Sequence, residues 1–371
     1  MSSHLSDYAF SDIPFADIER VGQASLLHRD LFCVSWLLGR FCNYKCSYCW
    51  PYARSSTPDH RPLKLLIQTM NEIKRQGRER GFNSWHFSFS GGEPTLHKGY
   101  LPLLEHYSQD TPNSNYQSVH MTTNLSPGIK WLEKYISATK TLHRVSITAS
   151  FHREFAKKEE FADKIIFLQE NEVQVTINMV MVPDKFDELW DRALYFHSRQ
   201  INVTLKPQSN EKAQKVVAGY TPAMLKKLKE GLPQKDYVKD FLKKSGKKPS
   251  RPKARTGVNF KPSPSQQIFQ VELTDSRGKA WYMDQAERFN AFNFNRFKGW
   301  ECSSGYRSLI IREPDGFIKR SYSCQDKPLG HIETGFQLFS RPEPCITPTC
   351  VSSADSKIPK RKKGSELPLW P

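Results

Sequence analysis

Cys42-Asn43-Tyr44-Lys45-Cys46-Ser47-Tyr48-Cys49 places three thiols in C-x3-C-x2-C spacing, directly after the apolar run Leu31 to Leu38. Three cysteines within eight residues converge on one soft inorganic centre when a loop between a strand and a helix turns their sulfurs inward. No fourth cysteine lies nearby, so the centre they hold is expected to keep one open iron. A structural zinc site is the competing reading, with His60 as the missing fourth ligand. It leaves the later segment Gly91-Gly92-Glu93-Pro94 unexplained.

At 371 residues, the chain is long enough for one large or two modest domains with a substantial core. Its 38% hydrophobic and 12% aromatic content are those of a globular protein. No apolar run reaches the roughly 18 to 20 residues of a membrane-spanning helix. The start, Met1 to Asp7, lacks the basic and apolar regions of a secretory signal. No membrane association and a cytoplasmic, reducing setting are therefore expected. The clustering of the eight cysteines agrees, with Cys42, Cys46 and Cys49 early and Cys302, Cys324, Cys345 and Cys350 in the last fifth. Cys33, inside the apolar run, reads as a small buried core residue.

The net charge of +17 is local. Between Lys206 and Lys261, sixteen Lys or Arg stand against four acids, which is +12 of the +17. This stretch, rich in Pro, Ser and Gly, reads as a bridge between domains with one short helix near Pro222 to Lys229. It is either a solvated linker or a basic lip that attracts an acidic substrate, a peptide or RNA.

From Leu31 onward, strands alternate with helices. Strands are expected at Leu31 to Leu38, Trp85 to Ser90, Ser118 to Thr123, Arg144 to Ser150, Val173 to Val182 and Ile201 to Lys206. Helices are expected at Leu63 to Gly81, Gly99 to Ser108, Ile129 to Thr139, Phe155 to Asn171 and Phe186 to His197. Right-handed crossovers then give an α/β fold, a parallel sheet curled into a partial (β/α)6 TIM-like barrel, with functional residues at the C-terminal strand ends. The cysteine loop follows the first strand, Gly91-Gly92 the second and Asn124 the third. On the fourth and fifth strands, Ser146, Thr148 and Ser150, then Gln174, Thr176 and Asn178, alternate with apolar residues. A polar inner face suits a polar ligand in the lumen.

The C-x3-C-x2-C loop with Tyr48 before its last cysteine, followed some forty residues on by Gly91-Gly92-Glu93-Pro94, resembles the radical S-adenosylmethionine (radical SAM) superfamily from about Leu31 to Gln208. The resemblance implies a 4Fe-4S cluster on Cys42, Cys46 and Cys49 whose open iron chelates S-adenosylmethionine. It also implies reductive cleavage to a 5′-deoxyadenosyl radical that abstracts a substrate hydrogen. Gly91, Gly92, Glu93 and Pro94 would run along the methionine moiety, Glu93 accepting from its amino group, and Tyr48 would pack near the adenine. Asn124, Thr148, Ser150 and Asn178 are further candidates for S-adenosylmethionine contact. Lys206 and Gln208, at the end of the sixth strand, are candidates for substrate contact. An electron donor such as flavodoxin or ferredoxin is implied.

Downstream, Gln270 to Asp284 and Ser308 to Ser323 read as hairpins, turning at Asp275 to Gly278 and Pro314 to Gly316. Pairing in the second hairpin would bring Cys302 and Cys324 together, with Cys345 and Cys350 closing the set. With Pro328-Leu329-Gly330-His331-Ile332, this resembles an auxiliary-cluster SPASM extension in its shorter twitch form, an α+β unit. The expected centre is a second 4Fe-4S cluster, with zinc as its alternative. Arg288 to Phe297 is either a substrate wall or aromatic packing. The end, Lys357 to Gly364, reads as a loosely held basic tail. The expected divisions are an N-terminal extension (1–30), the barrel (31–210), the basic bridge (211–265), the cluster extension (266–356) and the tail (357–371).

Two functions remain from the sequence. One is a radical SAM enzyme for oxidation, epimerisation or crosslinking of a peptide, natural-product precursor or anionic small molecule. The other uses the basic bridge, as an enzyme modifying RNA or a nucleotide, or as a nucleic-acid-associated iron-sulfur protein; nucleic acid is the less favoured partner.

Overall fold

A computed structural model describes residues 13–23, 30–50, 54–210, 215–232, 271–283, 294–312, 315–350, 352, 355 and 358–369. In chain order, the first half comprises β1 (Ile18–Gln23), β2 (Leu31–Leu37), α1 (Leu63–Arg78), β3 (Ser84–Ser90), α2 (Tyr100–Gln109), β4 (Tyr116–Thr123), α3 (Ile129–Thr139), β5 (Arg144–Phe151), α4 (Lys158–Glu170), β6 (Gln174–Met181), α5 (Phe186–His197), β7 (Asn202–Pro207) and α6 (Pro222–Glu230). Then follow β8 (Val271–Asp275), β9 (Ala280–Met283), β10 (Glu301–Cys302), β11 (Ser308–Ile311), β12 (Phe317–Lys319), β13 (Gly330–His331), β14 (Gly335–Phe336), β15 (Glu343–Pro344) and β16 (Lys360–Arg361).

Strands β2 to β7 pair in parallel and in chain order, as the βα repeat requires. Their outer residues pack under the helices. Trp36, Trp85, Phe87 and Phe89 are fully buried there, each stabilising the fold by about 1.5–3 kcal/mol. Helix α1 presents Leu66, Met70 and Ile73 to this core at helical spacing, with Arg75 outside. The opposite residues of each strand, only partly buried, line the lumen.

The sheet does not stop at six parallel strands. Strand β11 joins in parallel beside β2, pairing Ser308 with Cys33 and Ile310 with Ser35. The antiparallel run β12-β13-β14 extends that edge. The second expected hairpin is therefore part of the barrel sheet. A separate six-stranded sheet, ordered β15-β10-β16-β1-β8-β9, holds the first hairpin.

Several expectations are corrected. The stretch read as a loose basic tail supplies β16, between β1 and β10. Lys360 is 1% exposed, and its Nζ donates to the carbonyls of Asp355 and Ile358, at 2.6 and 2.8 Å. Burying the ammonium against carbonyls satisfies its donors, so its charge does not force it into solvent. The N-terminal stretch likewise supplies β1, whose buried Arg20 pairs with Glu272 at 2.6 Å. Cys33 lies on the lumen face, beside His86 in register, and is half-buried. The fourth helix begins at Lys158, because residues 152–155 are engaged with the cysteine loop. The bridge from 233 to 270 and residues 284–293 lie outside the described residues. No helix among the described residues is long and apolar enough to cross a membrane.

Candidate active site

The cysteine loop leaves the end of β2 and is pinned at its start. One Asp59 carboxylate oxygen accepts from the backbone N–H groups of Arg40 and Phe41, at 3.0 and 3.1 Å. Residues 39–41 then lie against the segment that leaves β3. Gly92 N–H donates to the Gly39 carbonyl and Glu93 N–H to that of Phe41, each at 2.8 Å. A Cβ on Gly91 would stand 2.2 Å from the Gly39 oxygen, and one on Gly92 2.2 Å from that of Phe41. Both glycines are thus required by close approach of the chain to itself.

Glu93 is 2% exposed. Its Oε1 accepts from Thr95 N–H (3.1 Å), Thr95 Oγ1 (2.7 Å) and Thr123 Oγ1 (2.7 Å), and its Oε2 accepts from Asn124 N–H (2.6 Å). Burial pushes the carboxyl up from its ordinary range, and these donors oppose the shift. The carboxylate thereby ties the ends of β3 and β4 together, and Pro94 begins the short turn between them. Asn124 completes the link, its side-chain N–H donating to the Asn43 side-chain Oδ1 at 2.9 Å and to Cys42 Sγ at 3.8 Å.

The three thiols are held within one another's fields. Cys42 is raised first by burial and also by Glu93 and Cys49, and Cys46 is pushed up to about 12 by burial, Cys49, Glu154 and Cys42. Cys49 is raised by burial and lowered by Arg54. To act as thiolates they would need a neighbouring positive charge, which a ligated metal centre would supply. A loop after β5, unmarked in the sequence reading, packs over them. Tyr48 bonds His152 Nδ1 at 3.0 Å, Phe155 stacks on Tyr44 at 4.7 Å and Glu154 accepts from Ser47 N–H at 2.9 Å. Burial depresses His152 to about 4, so its ring stays neutral. His60 turns away from the cysteines to stack on His97 at 4.4 Å.

Thr148, Ser150 and Asn178 face the lumen, with Ser150 beside Asn178 in register. Lys206 is exposed on the same face of β7, whereas Gln208 is tied by its backbone N–H to the Tyr220 hydroxyl at 2.7 Å. Two lumen histidines escaped the sequence reading. His86 bonds Ser118 at 2.8 Å and His120 bonds Ser146 at 2.9 Å. Their signals were the alternations His86-Phe87-Ser88-Phe89-Ser90 and Ser118-Val119-His120-Met121-Thr122, each of which carries a polar face.

In the C-terminal part, Cys302, Cys324 and Cys345 act on one another electrostatically. Burial raises Cys345 and pushes Cys324 up to about 11. Cys350 joins Cys302 and Cys345 in one buried cluster. Ser321 donates to Cys324 Sγ at 3.1 Å. Phe294 and Phe297 pack with Phe15 and Trp300 in this unit. Among the described residues, no three His, Cys, Asp or Glu side chains could hold a single metal ion. An iron-sulfur cluster takes each thiolate on a different iron, so its ligands need not meet at one point.

Comparison with known proteins agrees with this geometry. The family model described as "Radical SAM superfamily" matches residues 36–193. GTP 3′,8-cyclase of Pasteurella multocida (strain Pm70) is 29% identical over 119 residues, covering 30% of this chain and 33% of that protein. The protein of the same name from Actinobacillus pleuropneumoniae serotype 5b (strain L20) is 32% identical over 83 residues, covering 22% and 23%. The matches thus span a third or less of these curated relatives. Among solved structures, anSMEcpe with bound AdoMet aligns over 82% of this chain and 79% of its own, at TM-score 0.49 and 14% identity. Streptococcus suis SuiB bound to S-adenosylmethionine aligns over 82% and 64%, at 0.47 and 16%. The matched region, residues 36–193, carries the cysteine loop, the Gly-Gly-Glu segment and Asn124, and this stretch of the chain is similar to the radical SAM superfamily, enzymes that use a 4Fe-4S cluster and S-adenosylmethionine.

Proposed function

We propose that Cys42, Cys46 and Cys49 hold the 4Fe-4S cluster, and that this enzyme removes a hydrogen atom from a polar substrate seated in the lumen. The observation that carries the reading is the bonding of the cysteine loop, Glu93 and Asn124 into one unit at the ends of three adjacent strands. The cluster and S-adenosylmethionine supply the one-electron chemistry when bound. The residues of the chain position and shield. Asn124 orients the loop through Asn43, Glu93 fixes two strand ends, and His152 with Phe155 covers Tyr48 and Tyr44. Thr148, Ser150 and Asn178 offer hydrogen bonds to the ligand from the lumen wall, and Lys206 reaches substrate at its rim.

Cys302, Cys324, Cys345 and Cys350 are assigned to an auxiliary iron-sulfur cluster of the twitch type, suited to taking or passing an electron. A reductant such as flavodoxin or ferredoxin would serve the first cluster. Oxidation, epimerisation or crosslinking of a peptide or natural-product precursor all begin with the same hydrogen abstraction. A second reading, modification of a nucleotide, draws support from the relatives named GTP 3′,8-cyclase.

The test is anaerobic incubation of cluster-loaded protein with dithionite and S-adenosylmethionine. Release of 5′-deoxyadenosine is expected. Its absence from protein of confirmed iron content would overturn the proposal.

A further inference from the structure

The parallel run β11-β2-β3-β4-β5-β6-β7 contains no Asp or Glu in any of its seven strands. It does contain His86, His120, Arg144 and Lys206. Arg144, at the floor, is occupied by Gln174 at 2.8 Å. Of the carboxylates that follow these strands, Glu93 is buried and engaged by four donors, and Glu154 accepts from Ser47 N–H at 2.9 Å.

Two further cations stand at the C-terminal ends of the flanking strands. Lys206 lies beside Val180 on the lumen face of β7. Arg312 follows β11 on the opposite flank; it is two residues beyond Ile310, which pairs with the lumen residue Ser35, so alternation puts it on the lumen face. Both are exposed, and neither has an ion-pair partner among the described residues. Tyr322, 46% exposed, stands with Arg312. Its phenol is raised by burial, while contacts with the Ser90 and Ser35 hydroxyls and the Arg312 charge oppose the shift. Asp355, the acid in Tyr322's surroundings, accepts from the Ser323 N–H and hydroxyl at 2.9 Å each. Among the described residues, the mouth therefore combines a guanidinium without an ion-pair partner, a phenol and hydroxyl-bearing walls, while Glu93, Glu154 and Asp355 are each engaged by donors.

We infer that the substrate is a small molecule bearing a phosphate or carboxylate group, anchored at the mouth by Arg312 and the Tyr322 hydroxyl. Lys206 strengthens the positive field from the far flank. A planar guanidinium beside a neutral donor suits either oxyanion, and a mouth with a cation on each flank concentrates anions. The inference rests on the lumen being the substrate site.

The test uses full-length, cluster-loaded, oxidised protein with S-adenosylmethionine. Inorganic pyrophosphate and citrate are titrated by calorimetry at constant ionic strength. Saturable binding of one or both is expected, and the preferred probe tells phosphate from carboxylate. Arg312→Gln should weaken it at least about tenfold, Tyr322→Phe by about threefold to tenfold and Lys206→Gln by less. The remote surface variant Arg75→Gln should change nothing, and Arg312→Lys should recover part of the affinity. No saturable binding, or equal weakening by Arg75→Gln, overturns the inference. A short RNA oligonucleotide that binds better than both probes and is unaffected by Arg312→Gln also overturns it. Dithionite-driven cleavage of S-adenosylmethionine, measured on the same samples, reports separately on the proposed function.

Discussion

The Asn124 side-chain amide donates to the Asn43 side-chain Oδ1 at 2.9 Å, joining the end of β4 to the interior of the cysteine loop. The same side chain reaches Cys42 Sγ, and its carbonyl accepts from Ser126 N–H at 2.9 Å. Asn124→Ala removes all three contacts at a cost of about 1–3 kcal/mol. It should weaken S-adenosylmethionine binding by about tenfold or more, measured by calorimetry. Asn124→Asp keeps the shape but sets an anion beside a thiolate ligand, so its iron content should fall below that of the alanine variant. Equal iron content in the two variants would show that the contact is steric only.

Gly92→Ala forces a Cβ onto two backbone carbonyls that cannot yield independently of the loop. The expected loss is about 1–3 kcal/mol or more, read as a lower urea midpoint together with poor cluster loading. Gly22→Ala in β1, where nothing lies within 4 Å of the added carbon, serves as the control. It should be neutral or slightly stabilising.

Cys42→Ala should abolish 5′-deoxyadenosine release. Cys324→Ala should spare part of that release while product formation is lost, which separates the two clusters by role. Full product formation by Cys324→Ala would remove the auxiliary assignment and leave the first cluster untouched.

His97 is buried, accepts the Gly99 N–H on Nδ1 at 3.0 Å and stacks on His60. Burial, then the neighbouring imidazole, depresses it from 6.5 to about 4. The unfolded chain therefore binds more protons between these values, and stability must fall as pH drops through that window, by up to about 1.4 kcal/mol per unit for this group. His97→Asn, which preserves an acceptor for Gly99, should flatten the decline of the urea midpoint between pH 6.5 and 5. An unchanged slope would mean that the ring does not titrate there.

Periodicity alone located Ile129–Thr139 and Phe186–His197, because each of these helices buries one clear face. The placement of Cys42, Gly91 and Asn124 at consecutive strand ends was equally legible, since parallel βα units put those ends on one rim. What escaped depends on partners distant in sequence. Strand β11 pairs with β2, and no local pattern announces it. The charge of Lys360 argued for solvent, while the carbonyls that satisfy it come from the neighbouring turn. Glu93 looked available to a ligand until Thr95, Thr123 and Asn124 were seen to occupy it. Phe155 was absorbed into an overlong helix and His152 went unmarked, because the cysteine loop they cover is a hundred residues earlier.

The adjacency of β1 and β16 sets an order of assembly. The strands β2 to β7 are made by residue 207, whereas β11, which pairs with β2 in the same sheet, comes only at Ser308–Ile311. Cys302 lies on β10, in a sheet whose middle strands, β16 and β1, are almost the latest and the earliest to be synthesised. β1 must wait, exposed, for β8 and then β16. The six-stranded sheet can therefore close only once β16 has been made.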